Sequence, residues 1–399
     1  MTLRKCIFWL HLTAGLIAGL VIGMMSFTGV LLAFESEIVA WAERDVRIIT
    51  PPSPGAPRLA LEELQERFRS AHPAARPTAI IISALPSTAV VLNVGREAPY
   101  SLDPYSGAAR QPASTTPRDF MRLTTDWHRW LALSGDNRPL GRAVTGVCNL
   151  AFLFLALSGI FLWWPRKWRT KGWHRSLWFL RQASGRARDW NWHNVVGFWF
   201  LPVLIVLTVS GAVISYKWAS DLVFRAAGEI PPIQGDAAPA TALLDPPKDD
   251  PVTIPLGLTA AVELTKSRYA GWETITVRLP NAPARPPTTT PTSPANATAP
   301  IGLTIKLPGI WPRTASTSVS LNPFTGEEIK REEFSNFSPG RQARVWLRFL
   351  HTGQALGPIG QLVAGLASAG GCLLVYTGFS LAWRRYREWR AEEKSASAP

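Results

Sequence analysis

The fold of this chain is decided by residues 6–34, whose sequence is CIFWLHLTAGLIAGLVIGMMSFTGVLLAF. The stretch contains no Asp, Glu, Lys or Arg. At about 1.5 Å per residue, a helix of this length crosses a hydrocarbon core of roughly 30 Å. Three further charge-free stretches, 143–164, 195–216 and 359–383, are also long enough to cross it. The sequence therefore predicts four transmembrane helices.

The charge-free stretches allow two other interpretations. The four stretches would also suit the buried core helices of a soluble protein. The first would also suit a secretory signal peptide, which has an apolar region of about 7–15 residues and a small-residue cleavage site. Residues 6–34 are longer and end without an A-x-A-like site, so we expect an uncleaved span.

The distribution of charge predicts the orientation of the spans. The chain has 399 residues and a formal net charge of +14. Residues 1–5, 165–192 and 384–399 carry +2, +7 and +2, whereas residues 35–142 and 217–358 carry only +1 and +2. Because Lys and Arg accumulate in cytoplasmic segments, both termini and the loop 165–192 are predicted to be cytoplasmic. The basic composition thus indicates membrane topology, with lipid as the partner and no nucleic acid.

The predicted fold class is a mainly α membrane protein with four spans in two repeated halves and two small α+β outer units. The spans cover 6–34, 143–164, 193–217 and 359–383; the outer units cover 35–127 and 218–345. Interfacial segments cover 128–142 and 346–358, and the cytoplasmic loop and tail cover 165–192 and 384–399. The second outer unit contains a Pro/Thr-rich, low-complexity loop at 281–300.

An internal duplication is indicated by motifs that recur in the same order. His11 and His193 each open an H-x-x-x-G motif, and each span carries a Ser/Thr-Gly pair whose glycine follows the histidine by 18 residues. Residues 101–107, SLDPYSG, match residues 320–326, SLNPFTG. His128 or His351 then precedes the next span, which carries a late Ser-Gly or Thr-Gly pair, at 158–159 and 377–378. Each half is thus predicted to be a span, an outer unit, a histidine and a second span.

Four histidines at the span ends are the candidate ligands. The orientation places His11 and His193 near the cytoplasmic face, and His128 and His351 near the outer face, so that each face has one histidine from each half. Ionisable side chains within a membrane are costly and mark functional sites. Two facing imidazoles suit the axial positions of haem iron, whereas a bare zinc ion would need further ligands. The alternative is that these are hydrogen-bonded interfacial histidines.

Four glycines are candidates for leaving room for a flat macrocycle: Gly15, Gly197, Gly29 and Gly211. The first two lie one turn from a histidine on the same helix face, and the other two return to that face about 27 Å further along. Glycines at helical spacing also permit close helix packing, which is the alternative.

Arginines lie close in sequence to the two outer histidines. Arg129, Arg142 and Arg348 are candidate partners for haem propionates. Ordinary interfacial arginines remain the alternative.

An ordered set of motifs runs through nearly the whole chain. It comprises SFTG (26–29), DWHRW (126–130), WHNVVG (192–197), SG (210–211), LHTG (350–353) and the D-P-x-[ST]-G and N-P-x-[ST]-G turns typical of PepSY domains. With this set the sequence resembles the PepSY-associated transmembrane proteins, bacterial inner-membrane proteins linked to iron uptake. Some members of that family are periplasmic ferric-siderophore reductases.

The resemblance implies two exported PepSY-like units and two b-type haems. One haem would be ligated by His11 and His193 on the cytoplasmic side, and the other by His128 and His351 on the periplasmic side. We therefore expect an oxidoreductase that carries electrons from a cytoplasmic or quinol donor to a ferric chelate, such as a ferric siderophore, and releases iron(II). No acid–base or nucleophilic residue is expected. The insertion at 281–300 departs from the family pattern.

Two other functions are compatible with the sequence. A membrane-anchored PepSY binding or regulatory module without redox activity would hold no cofactor and would tolerate replacement of the histidines. A permease would need polar residues within the spans, which carry few beyond Ser, Thr, Asn149 and Gln361.

Overall fold

The structure, a computed structural model, describes residues 2–95, 97–164, 176–232, 243–246, 254–279 and 298–396. The chain divides into two compact units. A helical bundle comprises 1–36, 119–231 and 339–399, and a unit with a β-sheet comprises 37–118 and 232–338. The predicted loop 281–300, apart from its last three residues, lies outside the described residues, as do residues 165–175 of the predicted cytoplasmic loop.

The described residues form eleven α-helices and eight strands. In chain order these are α1 (Leu3–Leu32), α2 (Glu35–Ala42), α3 (Arg44–Arg47), α4 (Leu61–Ala71), β1 (Ala79–Ser83), β2 (Val90–Asn93), β3 (Tyr100–Leu102), β4 (Ala109–Arg110), α5 (Thr116–Trp130), α6 (Arg138–Trp163), α7 (Gly185–Ser215), α8 (Lys217–Ala226), α9 (Leu258–Arg268), β5 (Thr274–Arg278), β6 (Ile301–Lys306), β7 (Thr317–Leu321), β8 (Glu328–Glu332), α10 (Pro339–His351) and α11 (Gly357–Ala396).

Four helices within the described ranges, α1, α6, α7 and α11, are long and apolar enough to cross a membrane. Each coincides with one predicted span. All four begin before the predicted span. The largest extensions are those of α7, which begins at Gly185, and of α11, which continues to Ala396 through the predicted tail. A charge-free run predicts only the part of a helix that lies in the hydrocarbon core, and not where the helix begins or ends. The sequence RRYREWRAEEK at 384–394 is polar yet rich in good helix formers, so the helix continues.

The four long helices alternate in direction around the bundle. Helices α1 and α7 each pack against both α6 and α11. We call the end at which α1 begins the terminal end, and the opposite end the far end. At the terminal end Arg4 donates to the carbonyl of Trp164 (3.1 Å), and at the far end Gln361 donates to the carbonyl of Ala33 (3.0 Å).

A buried carboxylate joins α7 to α11 at the terminal end. The side chain of Asp189 is fully buried. It accepts hydrogen bonds from the Ser380 hydroxyl (2.6 Å) and from Arg384 (3.2 Å) on α11, and from Arg188 (2.8 Å) on its own helix. Because each oxygen of this carboxylate is satisfied, its burial stabilises one relative position of the two helices.

Two shorter helices of the bundle, α5 and α10, end within the predicted interfacial segments. His128 lies in the last turn of α5, and His351 is the last residue of α10. Gly353 follows with φ of 75°, and a Cβ there would lie 2.6 Å from the carbonyl oxygen of Gly360. Glycine at this position therefore permits the end of α10 to rest directly on the first turn of α11.

The strands assigned to two outer units form one antiparallel sheet in the order β4-β3-β2-β1-β5-β6-β7-β8. The two predicted outer units thus share one sheet, since β1 pairs with β5 at its centre, where Ile80 lies opposite Val277 and Ile82 opposite Ile275. Alternate residues of both strands are buried, so one face of the sheet contributes to a single core. That core also contains residues of α4 and α9, among them Phe68.

The two matching turns adopt the same local structure. The Asp103 carboxylate accepts from the backbone N–H of Tyr105 (2.8 Å), and the Asn322 side-chain oxygen accepts from that of Phe324 (2.9 Å). The glycine that ends each turn has φ of 77° or 70°. The D/N-P-x-[ST]-G sequence therefore encodes an Asx turn closed by a left-handed glycine.

Candidate functional site

The bundle arranges the four predicted histidines as two pairs. The first pair, His11 on α1 and His193 on α7, lines one cavity at the terminal end. The second pair, His128 on α5 and His351 on α10, lies at the far end with its ring centroids 6.3 Å apart and its ring planes inclined by 61°. Each pair takes one histidine from each half of the chain, as the sequence predicts.

In the first pair, each imidazole is held by a hydroxyl of a neighbouring helix. His11 Nδ1 lies 2.8 Å from the Ser158 hydroxyl oxygen on α6. His193 Nδ1 lies 2.9 Å from the Thr377 hydroxyl oxygen on α11. The two contacts are equivalent, because each joins the first span of a half to the second span of that half.

In the second pair, the hydroxyls come from the far ends of α1 and α7. His128 Nδ1 lies 2.9 Å from the Thr28 hydroxyl oxygen, and His351 Nδ1 lies 3.1 Å from that of Ser210. His351 Nδ1 also lies 2.9 Å from the carbonyl oxygen of Leu207. All four histidines thus use Nδ1 for contacts to the protein.

The hydroxyl contacts determine which ring nitrogen carries the proton. Each of the four hydroxyls also lies 2.5–2.8 Å from the carbonyl oxygen four residues earlier in its own helix, to which it donates. Its oxygen is then the acceptor toward the imidazole, so Nδ1 carries the hydrogen and Nε2 carries the lone pair. That tautomer is the one in which Nε2 binds a metal ion.

A glycine lies beside each imidazole, directly after the hydroxyl residue. A Cβ placed on Gly159, Gly378 or Gly29 would lie 3.7 Å from the Cε1 atom of His11, His193 or His128 respectively. On Gly211 it would lie 3.2 Å from Cε1 of His351. The structure therefore refines the predicted role of Gly29 and Gly211, because an imidazole occupies the space that a larger side chain would take.

Gly15 and Gly197 lie at the terminal end of the bundle. Both line the cavity that contains His11 and His193, whose volume is about 820 Å³. Cofactor pockets usually measure about 300–1,000 Å³. Apolar side chains such as Phe152 and Leu201 form much of the wall. The cavity thus offers an apolar space with two imidazoles inside it.

Four basic side chains also line this cavity: Arg4, Lys5, Arg186 and Arg385. They belong to the terminal ends of α1, α7 and α11, where the spans end and charge begins. The sequence analysis did not assign them a role. A positively charged margin around an apolar cavity suits a ligand with an apolar body and carboxylates at one edge.

The predicted arginines near the second pair belong to a basic cluster. Arg129 and Arg138 both stack on the Trp130 ring, with guanidinium carbons 4.4 and 3.6 Å from its centroid. Arg142 donates to the carbonyl of Ser215 (2.7 Å). Burial lowers the pKa of Arg129, and so do its neighbours Arg142, Arg138 and Arg348. Mutual repulsion of this kind favours the binding of an anion among these arginines.

The second pair fits two axial ligands of one metal ion. A metal–imidazole bond is about 2.0 Å long and the ring centroid lies about 1.2 Å further, so trans imidazoles have centroids about 6.4 Å apart. The observed separation is 6.3 Å. Within the described part of the chain, no group of three or more His, Cys, Asp and Glu side chains could hold a metal ion. Two imidazoles alone suit haem iron, whose other four ligands belong to the macrocycle.

Sequence reasoning missed the four hydroxyl partners, although their signal was present. Each long helix carries a Ser/Thr-Gly pair, at 28–29, 158–159, 210–211 and 377–378, and α6 carries a second pair at 145–146. The first four supported the duplication, but only the packing of the helices shows that each of them faces a histidine.

The comparisons with known proteins agree with this architecture. A family model described as the PepSY-associated TM region matches residues 8–385. No curated protein matched the chain. The match covers nearly the whole sequence, including all four histidines and the four long apolar helices. The chain therefore belongs to the family of PepSY-associated transmembrane proteins and is a multi-pass membrane protein.

Proposed function

We propose that the protein is an electron conduit that binds one b-type haem between His11 and His193 and a second between His128 and His351. The observation that carries the proposal is the arrangement of the second pair. Its centroids are separated by 6.3 Å, and both Nδ1 atoms are held by acceptors, so both Nε2 atoms are available. The same Nδ1 arrangement at the first pair, together with its cavity, supports a second site of the same kind.

The chain's own residues hold and shield the two sites. The four histidines would hold the two haems through Nε2, and their hydroxyl partners keep the Nε2 lone pairs in place. Arg129 and Arg348 are the proposed propionate partners at the second site, and Arg4, Lys5 and Arg385 at the first. Bound haem would supply one-electron transfer, since its iron exchanges between the ferric and ferrous states.

The two sites lie at opposite ends of the bundle. His11 and Thr28, the partner of His128, are 17 residues apart on α1, which corresponds to about 26 Å along the helix. A redox centre near each end is what electron transfer across an apolar layer of this thickness requires. An electron accepted at the terminal end is then delivered at the far end.

We infer that the terminal end faces the cytoplasm of a bacterial cell and that the membrane is the inner membrane. The excess of Lys and Arg in residues 1–5, 165–192 and 384–399 supports this orientation. The second site and the sheet-containing segments then belong to the periplasmic side.

The proposed substrate is a ferric chelate, such as a ferric siderophore, on the periplasmic side. One electron converts the iron(III) chelate into an iron(II) chelate, which chelators with hard oxygen donors hold far less tightly. A two-electron donor, a quinol or a reduced flavin, would therefore serve two substrate molecules. The family membership supports this substrate class, because some members reduce ferric siderophores.

We also propose that the chain consists of two repeats, each with a PepSY-like segment. The sheet order is symmetric about the β1–β5 pair, with one helix and four strands contributed by each half. The two Asx turns and the four Ser/Thr-Gly pairs occupy equivalent places in the halves.

The proposal is tested by optical spectroscopy of the detergent-purified protein, oxidised and then reduced with dithionite, with haem quantified per chain. We expect sharp reduced bands and two haems per chain. His128→Ala and His351→Ala should each leave one haem, and so should His11→Ala and His193→Ala. His72→Ala is the matched control, since His72 lies in the sheet-containing unit, stacked on Phe68 and in edge contact with Tyr100.

A colourless wild-type protein from haem-replete cells would refute the conduit. The membrane-anchored PepSY binding module would then be the better account, and the four histidines would be structural. Two haems per chain that persist in all four histidine variants would refute the ligand assignment alone.

A further inference from the structure

The four Ser/Thr-Gly pairs form a repeated contact that the sequence analysis used only as a mark of duplication. In each pair the hydroxyl accepts from a histidine Nδ1 and the following glycine lies against Cε1 of the same ring. The contact occurs once per histidine, and each hydroxyl is on a different long helix.

We propose that Thr28, Ser158, Ser210 and Thr377 are positioning residues that determine the tautomer, rotation and basicity of the four haem-binding histidines. The inference rests on the proposed function, because it concerns ligands of the proposed haems. The four hydroxyl residues are not themselves among the proposed haem ligands, and they act through the histidines that they contact.

The hydroxyls act through a relay of two hydrogen bonds. Each one donates to the carbonyl four residues earlier, which orients its oxygen lone pair toward the imidazole. An Nδ1–H that donates to such an oxygen is polarised, and the opposite nitrogen becomes a stronger donor to iron. A more basic ligand stabilises ferric over ferrous iron, so each contact lowers the reduction potential of its haem. Loss of the hydroxyl should therefore raise that potential.

The glycine that follows each hydroxyl residue leaves the space in which the imidazole lies. At Gly211 a Cβ would lie 3.2 Å from Cε1 of His351 and 3.1 Å from the side-chain oxygen of Asn149. The ring therefore lies nearly against the helix backbone. The contact needs a small residue beside the hydroxyl.

His351 has a backbone acceptor besides its hydroxyl, and its comparison with His11 is therefore informative. His351 Nδ1 lies 2.9 Å from the Leu207 carbonyl oxygen and 3.1 Å from the Ser210 hydroxyl. Among the described contacts of His11, the Ser158 hydroxyl is the acceptor at Nδ1. Ser210→Ala therefore leaves a strong acceptor in place, whereas Ser158→Ala removes the one on which His11 depends.

The same Ser→Ala change should thus have unequal effects at the two sites. Replacement of an acceptor behind a metal-binding histidine usually weakens binding by about 10–100-fold. We expect a loss of this size for the haem of the first pair in Ser158→Ala, and a smaller loss for the haem of the second pair in Ser210→Ala. Ser158→Thr keeps a hydroxyl and should restore the wild-type behaviour.

The experiment measures haem per chain, the transfer of haem to apomyoglobin and the two reduction potentials in a spectroelectrochemical titration of the full-length protein. The expected result is an upward shift of one potential and faster haem loss in Ser158→Ala, rescue in Ser158→Thr and a smaller change in Ser210→Ala. The untouched second haem of Ser158→Ala reports that the variant is folded.

The experiment distinguishes failure of the positioning role from failure of the proposed function. Equal effects of Ser158→Ala and Ser210→Ala, or unchanged potentials and haem loss in Ser158→Ala while wild type holds two haems, would overturn the positioning role alone. A wild-type protein without haem would overturn the proposed function and this inference with it.

Discussion

Replacement of Gly353 tests how closely the end of α10 must approach α11 to hold His351. The residue has φ of 75°, which costs an L-residue about 1–2 kcal/mol. The Cβ of Gly353→Ala would also lie 2.6 Å from the carbonyl oxygen of Gly360 and 2.7 Å from Cα of Gln361. Because carbon–oxygen contacts of this kind measure about 3.3 Å, the two backbones have to separate by about 0.7 Å.

That separation is larger than the hydrogen bonds of His351 can accommodate. His351 Nδ1 lies 2.9 and 3.1 Å from its two acceptors, and an added shift of about 0.7 Å would lengthen both contacts beyond the range of a hydrogen bond. Overpacking adds about 1–3 kcal/mol to the conformational strain, so we expect a total loss of about 2–5 kcal/mol. Under the proposed function, the haem of the second pair should be lost first and that of the first pair retained.

The assay combines thermal unfolding in detergent with haem quantification, and Gly228→Ala is the control. Gly228 has φ of 77° in the same unit, but a Cβ there meets no atom within 4 Å. The control carries the strain without the clash and should lose only about 1–2 kcal/mol. If Gly353→Ala and Gly228→Ala lose equal stability and both retain the second haem, the close approach of the backbones is not what holds His351.

Three further predictions concern stability and are measured by thermal unfolding. Asp189→Ala removes the fully buried acceptor shared by Ser380, Arg384 and Arg188 and should cost about 1–3 kcal/mol. Glu388→Ala removes only an exposed ion pair with Arg186 and should cost less than about 1 kcal/mol; equal losses would contradict the structural role of the buried carboxylate. Burial alone would raise the pKa of Glu43, but hydrogen bonds from Arg118 and Arg47 outweigh it and hold that pKa below its ordinary value. The ionised carboxylate therefore stabilises the fold at neutral pH, and this contribution disappears as the pH falls through the lowered pKa. Glu43→Gln should be less stable than wild type at pH 7 and lose that difference in acid; a difference independent of pH would argue against this linkage. Ile275→Ala, at a fully buried position of β5, should cost about 2–5 kcal/mol, whereas Ile329→Ala, on the half-exposed β8, should change stability by about 0.5 kcal/mol or less.

Much of the bundle is predictable because its determinants are local. A run of apolar residues such as 6–34 specifies a span by length alone, and the order of the spans follows from the chain. The pairing of His11 with His193 is predictable because the two halves repeat the same motif, which places equivalent residues at the same depth.

The remaining features depend on contacts between distant parts of the chain. The pairing of β1 with β5 joins segments almost two hundred residues apart, and neither strand contains a signal for its partner. The hydroxyl of Ser158 was visible as part of a Ser-Gly pair, but its direction toward His11 depends on how α6 packs on α1. The burial of Asp189 could not be predicted, because a count of the charges in a basic loop does not show which of its residues are buried.

The central position of β1 in the sheet has a consequence for biogenesis. Ile80 and Ile82 belong to a strand whose second neighbour, β5, begins at Thr274. At about 5–20 residues per second, the intervening residues take roughly 10–40 s to synthesise. Until then β1 presents an unpaired apolar edge, which is the kind of surface that aggregates or is cleaved.

The membrane helices α6 and α7 must be made during the same interval. The sheet is therefore completed only after three of the four long helices have been synthesised. A chain that stops before residue 274 has lost the partner of its central strand, even though every residue of β1–β4 is present. An unpaired β1 edge therefore marks a chain that has not yet supplied β5.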